Sequence, residues 1–313
     1  KLILIGKIIV QVSKMTESSI DDDLSFTRQD FLLLTKARLS ALVIVTTIFG
    51  YLLAVKSAGS PIGWWDLTHT VIGSALAAAA ASVFNQLMEI DIDARMARTA
   101  DRPLPAKKIQ PAVAFIIGWI LAACGIVHLG VKVDPRASAF AAATLFVYMF
   151  IYTPMKRRSG FNTLVGAVSG ALPPLIGWTA AGGAILEVEP WFLFGLLFLW
   201  QLPHFVAINW MYRKEYEDAG FIMWSNGDES GARTSFLGVF FSVLLILLVM
   251  APLFFSFVAT WAVVGLVLAA GVMLKYAIHF SRTRLRQDAR RLFLYTLIFL
   301  PVTLVLSFLG WNS

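Results

Sequence analysis

The chain has 313 residues, of which 58% are hydrophobic and only 14% are charged. A soluble domain is about 45–50% apolar and about 25% charged, so this composition excludes an ordinary soluble enzyme and predicts a polytopic membrane protein. The net charge of +7 does not indicate nucleic-acid binding, because the basic residues gather at the ends of the predicted spans. The single cysteine, Cys124, excludes an intrachain disulfide.

The first residues, 1–14, are apolar but shorter than the roughly 20 residues that a crossing needs. They are interpreted as an upstream extension or a weak interfacial helix. They lack the small-residue cleavage site of a signal peptide, and the acidic stretch TESSIDDDLS that follows is atypical of a transit peptide. We expect residues 1–34 to form a partly disordered cytoplasmic segment and residues 35–313 to form one transmembrane domain.

Hydrophobic periodicity and length predict an all-α fold of nine transmembrane helices around a central cavity. The predicted spans are 39–55, 69–88, 111–130, 137–154, 163–184, 190–211, 235–256, 258–279 and 292–311. A very tight turn is expected near Ala259–Thr260, because the seventh and eighth spans are almost continuous. Prolines within spans predict kinks at Pro173, Pro174, Pro203 and Pro301.

The charge distribution predicts the orientation of these spans. The N-terminus and the connections after even-numbered spans carry 23 of the 26 Lys and Arg residues. The other side holds only Lys56, Lys132 and Arg136. Since cytoplasmic connections are rich in Lys and Arg, the N-terminus is predicted to be cytoplasmic. The five arginines between the eighth and ninth spans are interpreted as a topology and lipid-headgroup anchor: Arg282, Arg284, Arg286, Arg290 and Arg291.

The end of the second span carries the densest group of chemically active side chains. Asn85, Glu89 and Asp93 stand at positions i, i+4 and i+8, so a continuous helix places them on one face. Such a stripe needs a counter-charge, and Mg²⁺ suits hard oxygen ligands shared with phosphate. Arg98 and Arg102 follow, and they suit phosphate oxygens. The pattern indicates a site for a magnesium-bound diphosphate; the alternative is a solvated charged loop.

A second polar group follows the sixth span. Arg213, Lys214, Glu215 and Asp218 again place carboxylates beside cations at a span end. Inside the span, His204 and Asn209 are polar groups in an apolar helix, which usually face a cavity or a partner helix. For His204 a helix–helix hydrogen bond and a role in the site remain open.

Further cations stand on the same predicted side. Lys156 and Arg157 follow the fourth span, and Lys36 and Arg38 precede the first. All four suit either a positive-inside anchor or the stabilisation of a departing diphosphate. Acidic and basic groups at the mouth of an apolar bundle favour an amphiphilic substrate with a diphosphate head, and an isoprenyl diphosphate has both features.

The motif NxxxExDxDxxMxRTxxRPLP at residues 85–105 resembles the first acidic motif of UbiA-type intramembrane prenyltransferases. More narrowly, the chain resembles the protoheme IX farnesyltransferase (heme O synthase) branch. The supporting stretches are TKARLSALV, YTPMKRRSGFNTLVGAVSGALPPLIGW and WQLPHFVAINWMYRKEYEDAG, and the likeness covers nearly all of the chain after about residue 30. It implies transfer of farnesyl from farnesyl diphosphate to a heme B vinyl group, with water addition, giving heme O.

The residue pattern and the resemblance together imply roles for residues. Mg²⁺ would be held by Asn85, Glu89, Asp91, Asp93, Glu215 and Asp218. Catalysis would involve Asp93, Glu89, Lys156 and Arg157. Substrate would contact Asn85, Arg98, Arg102, Lys36, Arg38, Arg213, Lys214, His204 and Asn209. Glu215 and Asp218 are three residues apart, whereas the superfamily spaces two aspartates by four, so the second metal ligand stays open.

The implied setting is the bacterial cytoplasmic (inner) membrane, with the site facing the cytoplasm. The implied partners are the lipid bilayer and heme A synthase or cytochrome oxidase assembly factors. Three alternatives remain open: a prenyltransferase acting on an aromatic quinone precursor, a transporter of an anionic amphiphile, and a structural assembly factor for cytochrome oxidase.

Overall fold

The computed structural model describes residues 27–312, and that part of the chain is built from helices. Nine of the helices described are long and apolar enough to cross a membrane, which confirms the predicted number. They are Ala37–Ser57, Trp64–Met88, Pro111–Lys132, Pro135–Met155, Asn162–Ala180, Val188–Met211, Ala232–Phe255, Thr260–Thr283 and Arg286–Gly310, called here the first to ninth spans. The chain is therefore an integral membrane protein, and each span overlaps the predicted one.

Three short helices lie between or before the spans. They are Arg28–Leu34, Ile90–Asp93 and Arg213–Ala219. The first is capped by Thr27, whose Oγ1 accepts from the Asp30 backbone N–H while the Thr27 backbone N–H donates to Asp30 Oδ2. Gln86 Nε2 donates to the carbonyls of Leu33 and Leu34 at 2.9 and 3.0 Å, which joins this helix to the second span. The extension predicted at residues 1–14 lies outside the described residues.

Prolines interrupt two spans: the break in the fifth span is at the predicted Pro173, whereas the break before Pro252 in the seventh span was not predicted from the sequence. The fifth span consists of Asn162–Ala171 and Pro173–Ala180, and the seventh ends with Ala232–Val249 followed by Pro252–Phe255. Proline lacks the N–H that would continue the helix, and membrane bundles tolerate such breaks because neighbouring groups can satisfy the freed carbonyls. Pro203 and Pro301 stand inside helices that continue past them. The tight turn predicted near Ala259 is confirmed, since the eighth span begins at Thr260.

The spans form two groups, the first to fifth spans and the sixth to ninth spans. In the first group the first span contacts the second, the second the third, the third the fourth, the fourth the fifth, and the fifth returns to the first. In the second group the sixth to ninth spans contact one another in sequence, and the ninth returns to the sixth. The fifth span packs on the sixth and so joins the two groups.

The first and fifth spans approach so closely that only glycine fits between them. A Cβ added to Gly177 would lie 1.8 Å from the Thr47 carbonyl oxygen, and one added to Gly50 would lie 2.1 Å from the Pro174 oxygen. Small residues allow such backbone approach in membrane bundles. This contact positions the proline break of the fifth span beside the first span, where Pro173 and Ile176 line the central cavity described below.

Candidate active site

Asn85, Glu89 and Asp93 form one buried cluster at the end of the second span. Their side chains are all buried, although the helix breaks at Glu89, whose φ and ψ are −113° and 11°. The one-turn spacing survives the break, because Glu89 N donates to Asn85 O at 3.1 Å and Asp93 N donates to Glu89 O at 2.7 Å. The predicted shared face is therefore confirmed, on two short helical pieces rather than one helix.

Each member of the cluster is contacted by a cation from another part of the chain. Lys156 Nζ donates to Glu89 Oε1 at 2.8 Å, and Arg102 donates to Asp93 Oδ2 at 2.6 Å. Lys36 Nζ donates to Asn85 Oδ1. The cations come from the connection after the fourth span, the loop after the second span and the start of the first span. A cluster of mixed charge is thus enclosed at one end of the bundle, rather than spread over a solvated loop.

Burial and charge shift the titration of these groups. Burial would raise the pKa of Glu89, but Lys156 and Lys36 hold it below the ordinary value. Burial raises the pKa of Asp93 despite the opposing effect of Arg102. Burial, together with the charges of Arg102 and Lys156, lowers the pKa of Lys36 to about 7. Glu89 is therefore held ionised by its cations, as a carboxylate must be to bind Mg²⁺.

An apolar cavity of about 330 Å³ extends from this cluster into the bundle. Lys36 stands among its lining residues, and the first, second, fourth, fifth and sixth spans form the wall. The second span contributes small residues, from Ser82 down to Ser74. The Ser74 hydroxyl is buried without a hydrogen-bond partner among the described residues. A polar head placed at the cluster would leave an apolar tail room to enter this cavity.

Two tyrosines that the sequence analysis did not single out form part of the cavity wall. Tyr148 and Tyr152 have ring centroids 5.3 Å apart, and Lys156 Nζ lies 4.6 Å from the Tyr152 ring centroid. Both belong to a π-helical stretch, Val147–Tyr152, and such stretches are frequent at functional sites. The i, i+4, i+8 spacing of Tyr148, Tyr152 and Lys156 repeats that of the acidic stripe and could have identified them.

The second acidic segment packs against the first, but its carboxylates stay exposed. Tyr216 is buried in an apolar cluster with Ile92 and Met96, which brings the helix Arg213–Ala219 onto the turn that carries Asp93. Glu215 and Asp218 are exposed and make no hydrogen bond or ion pair with the described residues. The segments therefore meet, while the two carboxylates are not drawn into the buried cluster.

Several other predicted site residues also lie outside the buried cluster. Asp91 is exposed although it is two residues from buried Asp93, since positions two apart face opposite sides of a helix. Arg38, Arg157 and Lys214 are exposed. Arg98 lies with its guanidinium carbon 5.5 Å from the Tyr212 ring centroid, and so links the loop after the second span to the end of the sixth.

The polar residues within the sixth span face different neighbours. His204 Nδ1 is 2.7 Å from Thr296 Oγ1 of the ninth span, and the His204 ring stacks on Trp200. His204 thus makes the helix–helix hydrogen bond that the sequence left open. Asn209 is buried, and its Nδ2 has no partner among the described residues. Arg213 lies 3.9 Å from the Trp210 ring centroid.

The donor set at the cluster fits Mg²⁺ that is shared with a phosphate ligand. It offers two carboxylates and one amide oxygen, and Mg²⁺ is usually bound by one or two carboxylates plus substrate phosphates. Within residues 27–312 no group of three or more His, Cys, Asp or Glu side chains could hold a metal by protein ligands alone. The cations that contact these oxygens, Lys36, Lys156 and Arg102, are placed to contact an incoming phosphate as well.

The family model of the UbiA prenyltransferase family matches residues 43–300. A protoheme IX farnesyltransferase of Opitutus terrae is 39% identical over 88% of this chain and 92% of its own length. One from Anaeromyxobacter sp. (strain Fw109-5) is 40% identical over 90% of this chain and 93% of its own. These findings confirm the resemblance that the sequence motifs indicate.

Solved structures show the same fold at low identity. A digeranylgeranylglyceryl phosphate synthase has a TM-score of 0.75 at 17% identity, over 90% of this chain and 97% of its own. A UbiA homolog from Archaeoglobus fulgidus bound to DMAPP and Mg²⁺ has a TM-score of 0.62 at 13% identity, over 88% and 98%. With the family model matched over most of its length, the chain belongs to the UbiA prenyltransferase family.

Proposed function

We propose that this chain transfers a farnesyl group from farnesyl diphosphate to a vinyl group of heme B, with addition of water, to give heme O. Prenyl transfer is supported by one observation: the buried cluster of Asn85, Glu89 and Asp93 lies with its cations at the mouth of an apolar cavity. The acceptor is supported by relatives named protoheme IX farnesyltransferase, which are 35–40% identical over nearly the whole chain.

In this proposal Asn85, Glu89 and Asp93 hold Mg²⁺ together with the diphosphate. When bound, Mg²⁺ neutralises charge on the leaving diphosphate. Lys156 and Arg102 contact Glu89 and Asp93 at 2.8 and 2.6 Å, so both cations lie within reach of a phosphate at the same oxygens. Arg98, Lys36, Arg38 and Arg157 are proposed as further phosphate contacts, in keeping with their place at the same end of the bundle.

The cavity is proposed to receive the farnesyl chain. Eleven helical positions separate Ser74 from Asn85 on the second span, which is about 16 Å of axial rise. Loss of diphosphate leaves an allylic carbocation, and a dry wall delays its capture by water. The faces of Tyr148 and Tyr152 can stabilise that cation as it forms.

The second acidic segment is proposed as an additional Mg²⁺ site. Tyr216 anchors the helix Arg213–Ala219 beside the turn that carries Asp93, and Glu215 and Asp218 of this helix are proposed to turn toward a bound diphosphate. Asp91, which is exposed, is proposed to contribute a ligand to this additional Mg²⁺ ion. Asn209, His204 and Lys214 are proposed to contact the acceptor, since they follow one another along the end of the sixth span.

The orientation and the membrane are also part of the proposal. The strong excess of Lys and Arg on one side favours a cytoplasmic N-terminus and a site that opens to the cytoplasm of a bacterium, in its inner membrane. Residues 35–313 are proposed to act as one prenyltransferase domain behind a cytoplasmic segment, 1–34. Heme A synthase and cytochrome oxidase assembly factors are the proposed partners that receive the product.

A direct assay tests the proposal. Purified protein is supplied with Mg²⁺ and labelled farnesyl diphosphate, and with either heme B or 4-hydroxybenzoate. Labelled, more hydrophobic heme is the expected product. Label in 4-hydroxybenzoate would instead identify a quinone-precursor prenyltransferase. Uptake without release of diphosphate would identify a transporter, and support of oxidase formation by Asp93→Asn would favour an assembly factor.

A further inference from the structure

A groove of about 400 Å³ lies at the end of the sixth span, separate from the apolar cavity. Four cations line it: two from the helix Arg213–Ala219, one from the connection between the eighth and ninth spans, and one from the first position of the ninth span. They are Arg213, Lys214, Arg284 and Arg286, and we call this feature the basic groove. Trp210 and Tyr212 add aromatic surface, and Glu215 is the one carboxylate that lines it.

Among the described residues, the cations of the basic groove have no carboxylate partner, unlike four other cations at this end of the bundle. Lys156, Arg102, Lys108 and Arg291 each form an ion pair with a carboxylate. Within residues 27–312, none of the four groove cations forms one. The side chain of Arg213 lies on the Trp210 ring at 3.9 Å, and that of Arg286 lies 5.9 Å from the Tyr212 ring centroid. Stacking fixes the plane of a guanidinium and leaves its N–H groups free to bind an anion.

The backbone at Arg284 is held in a conformation that favours glycine. Its φ and ψ are 56° and 17°, in the left-handed region. Its N–H donates to Phe280 O at 2.7 Å, and its carbonyl accepts from Trp210 Nε1 at 3.0 Å. A non-glycine residue in this region is strained, and such strain clusters at functional sites. The Trp210 hydrogen bond ties the connection between the eighth and ninth spans to the sixth span and so holds the two halves of the groove together.

The basic groove adjoins the proposed diphosphate site through one aromatic ring. The guanidinium carbons of Arg286, which lines the groove, and of Arg98, which follows the acidic stripe, lie 5.9 and 5.5 Å from the Tyr212 ring centroid. The sixth span continues from the groove to Phe205 and Gln201, which line the apolar cavity. A ligand that is anchored in the groove can therefore extend along the sixth span toward the mouth of the cavity.

We propose that the basic groove binds the two propionate carboxylates of the heme acceptor; this inference rests on the proposed function. Guanidinium groups match carboxylates in bidentate geometry, and the groove offers three of them beside one lysine. Heme B carries its propionates on the edge opposite its vinyl groups. Anchoring the propionates in the groove leaves the vinyl edge free to reach the farnesyl cation. From the sequence, Arg284 and Arg286 are predicted to be part of a lipid-headgroup anchor. In this proposal these two arginines instead select the acceptor.

The test compares heme B with its dimethyl ester, which keeps the ring and the vinyl groups but lacks both carboxylate charges. For the wild-type chain we expect a KM for the ester at least about tenfold above that for heme B, since the loss of even one charged contact weakens binding by about that factor. Arg284→Gln combined with Arg286→Gln should raise the KM for heme B about tenfold and leave that for the ester unchanged. The KM for farnesyl diphosphate should stay within about twofold.

A matched control removes two other charges close to the same connection, by Arg282→Gln in the eighth span combined with Arg290→Gln in the ninth. It should leave the discrimination between heme B and the ester intact. Equal discrimination by the wild type and the groove variant would overturn the inference, as would a rise in the KM for farnesyl diphosphate alone. If the groove variant raised the KM for heme B only in nanodiscs that contain phosphatidylglycerol, the groove would be assigned to lipid phosphate. That result would also overturn the inference.

Farnesyl transfer tests the proposed function, whereas heme binding tests this inference, so the two can fail independently. Wild-type protein that transfers no farnesyl to heme B would refute the proposed function. Heme binding is measured without farnesyl diphosphate, by absorbance titration, and weaker binding of heme B but not of the ester by the groove variant would still support the groove. Unchanged binding of both hemes by that variant would refute the inference even in an active enzyme.

Discussion

Lys156 and Glu89 form an ion pair of 2.8 Å that joins the end of the fourth span to the end of the second, with 11% and 7% of their side chains exposed. Removing one member leaves the other charged and buried, which costs about 3–5 kcal/mol. We expect Lys156→Gln to lower both thermal stability in detergent and farnesyl transfer. The combined change with Glu89→Gln should recover much of the stability, because neither charge is then unpaired, while activity stays low.

Thermal unfolding of the two single variants and the double variant, with activity measured in parallel, checks this prediction. The double-mutant cycle separates the structural role of the pair from its role in the reaction. Full activity in the double variant would contradict the assignment of Glu89 to the Mg²⁺ site.

Asp93→Asn removes a formal charge with almost no change in shape. We expect a loss of farnesyl transfer of at least about a hundredfold with normal membrane insertion, since the carboxylate is proposed to hold the ion that neutralises the leaving group. Asp101→Asn is the matched control, because Asp101 is an exposed carboxylate on the same loop. Near-wild-type turnover of Asp93→Asn, measured with saturating Mg²⁺, would refute the metal role.

Asp91 is a second carboxylate on the same short helix as Asp93 and allows a direct comparison. Its side chain is exposed while that of Asp93 is buried, so we expect Asp91→Asn to lose less than about tenfold in activity. Titrating Mg²⁺ against the activity of each variant distinguishes the two carboxylates. Because Asp91 is proposed to act on the additional ion, a shift of the Mg²⁺ requirement for Asp91→Asn as large as that for Asp93→Asn would instead place Asp91 on the ion of the buried cluster.

The second acidic segment is testable by charge removal at two positions. Glu215→Gln combined with Asp218→Asn should raise the KM for farnesyl diphosphate about tenfold if these side chains turn toward the diphosphate. Glu229→Gln provides the control, as an exposed carboxylate in the connection that follows. Unchanged kinetics in the double variant would restrict the Mg²⁺ site to the buried cluster.

Ser74 lies at the deep end of the cavity wall on the second span, about 16 Å from Asn85. Ser74→Leu should shorten the cavity, so that farnesyl diphosphate reacts poorly while dimethylallyl diphosphate is still used. Ala75→Leu is the control, because Ala75 is on the same helix but is absent from the cavity wall. Product analysis with both donors measures the preference, and an unchanged preference in Ser74→Leu would place the prenyl chain elsewhere.

The amino-acid sequence alone was sufficient to predict the nine spans, the shared face of the acidic stripe and the family. Apolar length determined the nine spans, since the cost of burying unsatisfied backbone groups in lipid leaves helices as the solution for such segments. Helical periodicity placed Asn85, Glu89 and Asp93 on one face, because their spacing is local and survives the break at Glu89. The family resemblance rested on equally local motifs.

Only the tertiary structure decided which charges pair. Lys156 and Arg157 are adjacent and chemically alike, yet Lys156 is buried against Glu89 and Arg157 is exposed. That choice depends on how the fourth span ends against the second, which involves residues 67 positions apart. The same holds for Lys36 at Asn85, for Arg284 at Trp210 and for Arg286 beside Tyr212. Partner choice between distant spans follows from helix packing, and packing depends on the shapes of all the contacting side chains rather than on any local pattern.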